Sequence, residues 1–98
     1  MKTANEITPT NLFHPGLVLG EEIEFRKLSK KEVAESMKIS PTVLSEIISG
    51  KRNITTATAI KIEQVLGINA LFFLNMQVRY EYYTLKKELR GGNFKKAA

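Results

Sequence analysis

Two helix-start signals sit close together in the middle of this chain, and they constrain its fold more than any other feature. Ser29-Lys30-Lys31-Glu32 is a capping box: the serine oxygen accepts from the third helical N–H, and the glutamate reaches back. Ser40-Pro41 is the second signal, a serine N-cap followed by a proline whose fixed φ suits the first helical position. Only Lys38-Ile39 is left between the two helices as a turn. The first helix buries Val33, Ala34 and Met37 at helical spacing. The second turns Leu44, Ile47 and Ile48 inward and stops at Gly50, a left-handed C-cap.

Two short capped helices joined by a tight turn have the geometry of a helix-turn-helix. Ala34 is small where the helices cross, and Ile39 is apolar where the turn must be plugged. Pro41, Thr42, Ser45, Glu46 and Ser49 remain outward on the second helix, with Val43 at its edge. Such a face is short-chained and mostly polar, so it can approach base edges closely. Lys30 and Lys31 occupy a first helical turn, where the macrodipole favours acids. A phosphate is their natural partner, assisted by the same helix N-terminus. Lys51 and Arg52 follow the second helix and can grip the nucleic-acid backbone on its other side. A merely structural helical hairpin would need neither the basic brackets nor the polar outward face.

The rest of the chain reads as helices packed around this unit. Residues 1–13 form an irregular arm, with Thr8-Pro9-Thr10-Asn11 as turn chemistry and Leu12 and Phe13 as docking residues. His14-Pro15-Gly16 opens a helix with an apolar stripe of Val18, Leu19 and Ile23, ending near Arg26-Lys27. Thr55 caps a helix through Leu66, closed by Gly67, with Ala59, Ile62 and Leu66 inside. Asn69 caps a last helix, from Ala70 through at least Tyr83 and toward Leu89. Gly91-Gly92 breaks it, and a basic tail follows. No segment alternates strictly between apolar and polar, so the expectation is an all-α, five-helix domain. Its expected division is an arm over 1–13, a helix-turn-helix domain with a dimerisation helix over 14–83, and a basic extension over 84–98.

Charge supports that reading only through its distribution. The formal net charge is +5, made up of −3 over residues 1–25, +4 over 26–52 and +4 over 53–98. The chain has no cysteine, hence no disulfide or thiolate metal site, which suits a reducing cytoplasm. Its apolar runs are too short for a transmembrane helix or a signal peptide, so a cytoplasmic location is expected. His14 is the single histidine and there is no aspartate, so neither an enzyme, a cofactor nor a metal is expected. Phe72, Phe73, Met76, Tyr80 and Tyr83 supply an aromatic-rich face of the last helix, assigned in part to a homodimer interface. Lys86, Lys87, Arg90, Lys95 and Lys96 read as a solvated basic end. A lipid-binding amphipathic helix over 70–98 is the weaker alternative for that end.

The stretches from Leu28 to Ser40 and from Ile47 to Arg52 resemble the helix-turn-helix of phage repressors (Cro/CI, XRE). His14-Pro15-Gly16, Ile54-Thr55-Thr56 and Phe73-Leu74-Asn75-Met76-Gln77 are similar to HigA-type (VapI-like) antitoxins, over about His14 to Tyr83. The resemblance implies a homodimer that represses its own operon at a palindromic double-stranded DNA operator. It also implies a second partner, a RelE-like toxin that cleaves mRNA at the ribosome. Base contacts are implied for Pro41, Thr42, Val43 and Glu46, and phosphate contacts for Lys30, Ser40, Lys51 and Arg52. The outward face adds Ser45 to the base readers, and the basic turn adds Lys31 to the phosphate set.

Three departures bear on the operator. Relatives often carry glutamine or arginine where this chain has Lys30, Pro41 and Glu46. Pro41 offers only apolar contact, as to a thymine methyl, and Glu46 suits a cytosine amine. Lys38 stands where relatives often have glycine, at a cost to the turn. A stand-alone repressor of the same family, without a toxin partner, is the alternative reading.

Overall fold

The structure, a computed structural model, describes residues 12–90. The expected arm over residues 1–11, the Gly91-Gly92 break and the basic tail lie outside the described residues. Five helices follow in order: α1 (Pro15–Phe25), α2 (Lys30–Met37), α3 (Pro41–Ile48), α4 (Thr56–Leu66) and α5 (Ala70–Arg90). Every element among the described residues is helical, as the pattern required. The last helix continues unbroken past residue 83, so the expected domain limit there falls inside an element.

Local chemistry accounts for each boundary. The side chains of Ser29, Ser40 and Thr55 accept from the backbone N–H of Glu32, Val43 and Thr58, and each cap residue is extended. At α1 the cap is His14, whose Nδ1 accepts from the Gly16 N–H at 2.9 Å. Two acceptors begin α5: Asn69 Oδ1 takes the Leu71 N–H at 2.8 Å, and Glu63 Oε1 takes the Ala70 N–H at 2.9 Å. Lys38 closes α2 in the left-handed region at φ 58°, where a Cβ costs energy. Gly50 and Gly67 follow α3 and α4 at φ 81° and 72°, where glycine costs little.

The core is one cluster to which every helix contributes. Leu19 and Ile23 of α1, Ala34 and Met37 of α2, Leu44 and Ile47 of α3, Ile62 of α4 and Phe73 of α5 are all essentially fully buried. Helix α1 packs on α3 and α5, α2 packs on α3 and α4, and α4 packs on α5. Ala34 sits at the α2 crossing with no exposed surface, and Ile39 packs against the core from the turn. The α1–α3 approach is closer still: a Cβ on Gly16 would overlap the Ile47 carbonyl, and one on Gly20 would press on the Ile48 side chain. Two glycines one turn apart therefore allow α1 to lie directly against α3.

Polar links tie the distal elements together. Arg26 donates from Nη1 to the Leu66 carbonyl at 2.7 Å and from Nε to Glu22 at 2.8 Å, joining the ends of α1 and α4. Gln77, nearly fully buried, accepts the Ile54 N–H at 2.8 Å and so fixes the loop after α3 onto α5. Among the described residues no helix is long and apolar enough to cross a membrane.

Candidate nucleic-acid interface

Helix α3 owes its orientation to its own amphipathicity. Leu44 and Ile47 are buried in the core, while Pro41, Thr42, Ser45 and Ser49 are exposed, together with the capping residue Ser40. Val43 is half-buried and packs partly against the core, so only its outer edge is open to a groove. Apart from Glu46 at its edge, the outward surface of α3 is thus made of two hydroxyl side chains, a proline ring and a valine edge, with a further serine at its end. None of these reaches far from the backbone, so the helix axis can come close to whatever it docks against.

The four cations expected to bracket α3 are all exposed. Lys30 and Lys31 are exposed in the first turn of α2, beside the Ser29 cap. Lys51 and Arg52 are exposed just past α3, and their backbone N–H groups both donate to the Glu46 carbonyl, at 2.9 and 3.1 Å. The Ser49 hydroxyl donates to the same carbonyl at 3.1 Å. One acceptor therefore gathers the whole turn after α3 and sets where the two cations stand. Among the described residues the ion pairs are Arg26–Glu22 and Arg52–Glu46, which leaves Lys30, Lys31 and Lys51 without a carboxylate partner.

The Arg52–Glu46 pair joins two residues expected to have separate roles. Arg52 donates from Nε at 3.1 Å and from Nη2 at 2.9 Å, both to Glu46 Oε2. Glu46 is thereby held at the outer edge of α3 by a cation assigned to the phosphate backbone. The pairing spans the end of the helix, so helical spacing alone gives no hint of it.

The residues assigned to a dimer seam differ in exposure. Phe73 is a correction: its side chain is fully buried in the single chain, where it fills the core, and no second subunit can touch it. Phe72 is about half exposed and meets Phe73 edge-on at 5.3 Å. Met76, Tyr80 and Tyr83 are half-buried, and the Tyr80 ring stands edge-on to His14 at 5.0 Å. Phe73 and Tyr80 are thus the members of this set that face the body.

His14 has a structural place. It is nearly fully buried, caps α1 through Nδ1, and sets Nε2 at 3.4 Å from Asn53 Oδ1. With Nδ1 accepting, the proton belongs on Nε2, which donates to Asn53. The histidine thus links the start of α1 to the loop that follows α3.

Comparison with known proteins adds one family match and three individual likenesses. A helix-turn-helix family model (HTH_3) matches residues 24–73. Virulence-associated protein I of Dichelobacter nodosus is 36% identical over 69 residues, which is 69% of this chain and 64% of that protein's own length. An addiction module antidote protein of the HigA family from Coxiella burnetii superposes with a TM-score of 0.76 at 30% identity, covering 83% of this chain and 89% of that one. A Pseudomonas aeruginosa protein solved in complex with its operator DNA superposes with a TM-score of 0.76 at 25% identity, covering 82% of this chain and 89% of that one.

Proposed function

The chain belongs to the XRE-type helix-turn-helix (HTH_3) family, and on that footing we propose that it is a dimeric, operator-binding antitoxin that represses its own operon. The observation that carries this reading is the exposed, short-chained face of α3, with exposed Lys30 and Lys31 before it in the chain and Lys51 after it, none of them paired with a carboxylate among the described residues. The operator complex of the Pseudomonas relative and the HigA-family likeness support the direction of the reading.

The proposed order of recognition follows from charge and reach. Lys30 and Lys31, with the N-terminus of α2, take phosphates on one side of the major groove, and Lys51 takes them on the other. Ser40 adds a hydroxyl contact to the backbone. With the register fixed, Thr42 and Ser45 meet base edges, Pro41 and Val43 offer apolar contact to a thymine methyl, and Glu46 accepts from a cytosine amine. Two copies present two such helices to half-sites about 34 Å apart, one turn of the duplex.

The second proposed activity is neutralisation, by direct protein contact, of a RelE-like toxin that cleaves mRNA, in the cytoplasm and without a cofactor. Co-expression with the product of the neighbouring gene, followed by co-purification and footprinting of the shared promoter, tests both halves. A stable complex and a protected palindrome are expected. A protected palindrome with no complex leaves a stand-alone repressor; no protection removes the operator reading itself.

A further inference from the structure

We infer that the groove between α1 and the end of α3, with the acidic rim that α1 gives it, is the docking surface for a cationic element of the RNA-cleaving partner. The inference deepens the neutralisation half of the reading above and rests on it for the existence of that partner.

The groove has a volume of about 340 Å³. Val18 and Gly20 of α1 and Ile48 of α3 line it, and because Gly20 adds no side chain of its own, Ile48 reaches the same space. Phe13 and Leu17 complete its apolar lining and are 57% and 41% exposed. Phe25, at the far end of α1, is 84% exposed. Single exposed apolar side chains are ordinary. Two of them beside a groove whose lining is already apolar mark a contact surface.

Charge identifies the occupant. Glu21 and Glu24 line the same groove about one helical turn apart, and both are exposed. Of the three glutamates of α1, only Glu22 is paired among the described residues, with Arg26. Helix α1 contains no lysine or arginine, and Glu24 sits in its last turn, where the macrodipole favours cations. Folding therefore gives no reason for these two carboxylates; a cationic partner does. A protein that cleaves mRNA has to hold a polyanion and so presents lysine and arginine side chains. A guanidinium takes a carboxylate through two parallel hydrogen bonds, and an apolar side chain next to it can enter the groove beside Phe13 and Leu17. Nucleic acid and anionic lipid are repelled by the same pair of carboxylates. Lys30 is the one member of the phosphate set that lines the groove, so the docking surface and the DNA face abut without coinciding.

Titration of the neighbouring gene's product onto the full chain and its variants, with operator binding measured alongside, tests the surface. Glu21→Lys combined with Glu24→Lys should raise the dissociation constant for that product roughly a hundredfold or more, because it sets cation against cation. Leu17→Ser should raise it as well. Both variants should keep operator binding, which also reports that the fold is intact. Glu21→Gln combined with Glu24→Gln keeps the shape and removes only the charge; its complex should be weaker and less sensitive to salt. Lys30→Gln should act the other way, weakening operator binding while holding the product at least as tightly. A parent chain that forms no complex overturns this inference together with the neutralisation reading. A complex equally tight in the parent and in every α1 variant overturns the docking surface and leaves neutralisation standing. Variants of α1 that hold the product but turn a dimer into a monomer give this face to a second copy and overturn the inference.

Discussion

Glu46 restrains Arg52, and removing its charge should make the protein bind DNA more tightly and less selectively. The two groups are 2.9 Å apart, with side chains 36% and 49% exposed, so solvent weakens the pair. Exposed ion pairs of this kind contribute about 0.2–1 kcal/mol. Glu46→Gln should therefore lower folding stability by less than about 1 kcal/mol. The same change frees Arg52 to meet a phosphate and removes an anion from the docking face. One added phosphate contact steepens the dependence of log K on log salt by about 0.9. With the pair no longer competing, affinity for random duplex near 0.1 M salt should rise by about two- to fivefold.

The operator should respond in the opposite sense if Glu46 accepts from a cytosine amine. Glutamine offers that amine a neutral acceptor in place of a charged one, so part of about 1–3 kcal/mol of discrimination is lost and the ratio of operator to random affinity falls from both ends. Fluorescence anisotropy titrations of both duplexes at four or five salt concentrations measure all of these quantities. The double variant Glu46→Gln, Arg52→Ala isolates the cause, because its non-specific gain should vanish. An unchanged salt slope in Glu46→Gln, or a gain that survives in the double variant, would refute the restraint.

Other predictions address the remaining parts of the fold and site. Thr42→Ala should weaken operator binding by roughly 1 kcal/mol or more while leaving random DNA untouched; equal loss on both would show that Thr42 does not read sequence. Gln77→Leu should destabilise the fold by about 1–3 kcal/mol, because it leaves the Ile54 N–H buried without an acceptor, and a denaturant midpoint within error of the parent would count against it. Lys38→Gly should stabilise by up to about 1 kcal/mol through relief of the left-handed backbone, read as a higher Tm; a lower Tm would mean that the flexibility added to the unfolded chain dominates.

Features that depend on a few neighbouring residues were legible in the sequence. Ser29, Ser40, Thr55 and Asn69 each cap through an atom within three residues, so their chemistry is fully local. The inward stripe of α3 follows from Leu44 and Ile47 alone, and with it the outward set Pro41, Thr42 and Ser45. Contacts between distant segments were not legible. Gly16 and Gly20 look like weak points of α1 until α3 is seen against them. Gln77 looks like a surface amide until Ile54, far along the chain, supplies the donor. Glu46 and Arg52 meet because the turn after α3 folds back on the Glu46 carbonyl, which no helical period encodes.

Helix α5 shows why periodicity alone assigns faces incorrectly. Its sequence carries two apolar stripes at helical spacing, one through Phe73, Met76, Tyr80 and Tyr83 and another through Leu71, Val78, Tyr82, Leu85 and Leu89. Aromatic content makes the first look like the seam between subunits. The body claims part of it instead, because Phe73 is fully buried in the core and Tyr80 stands edge-on to His14. Once the core has taken that face, the aliphatic stripe is the one left without a partner.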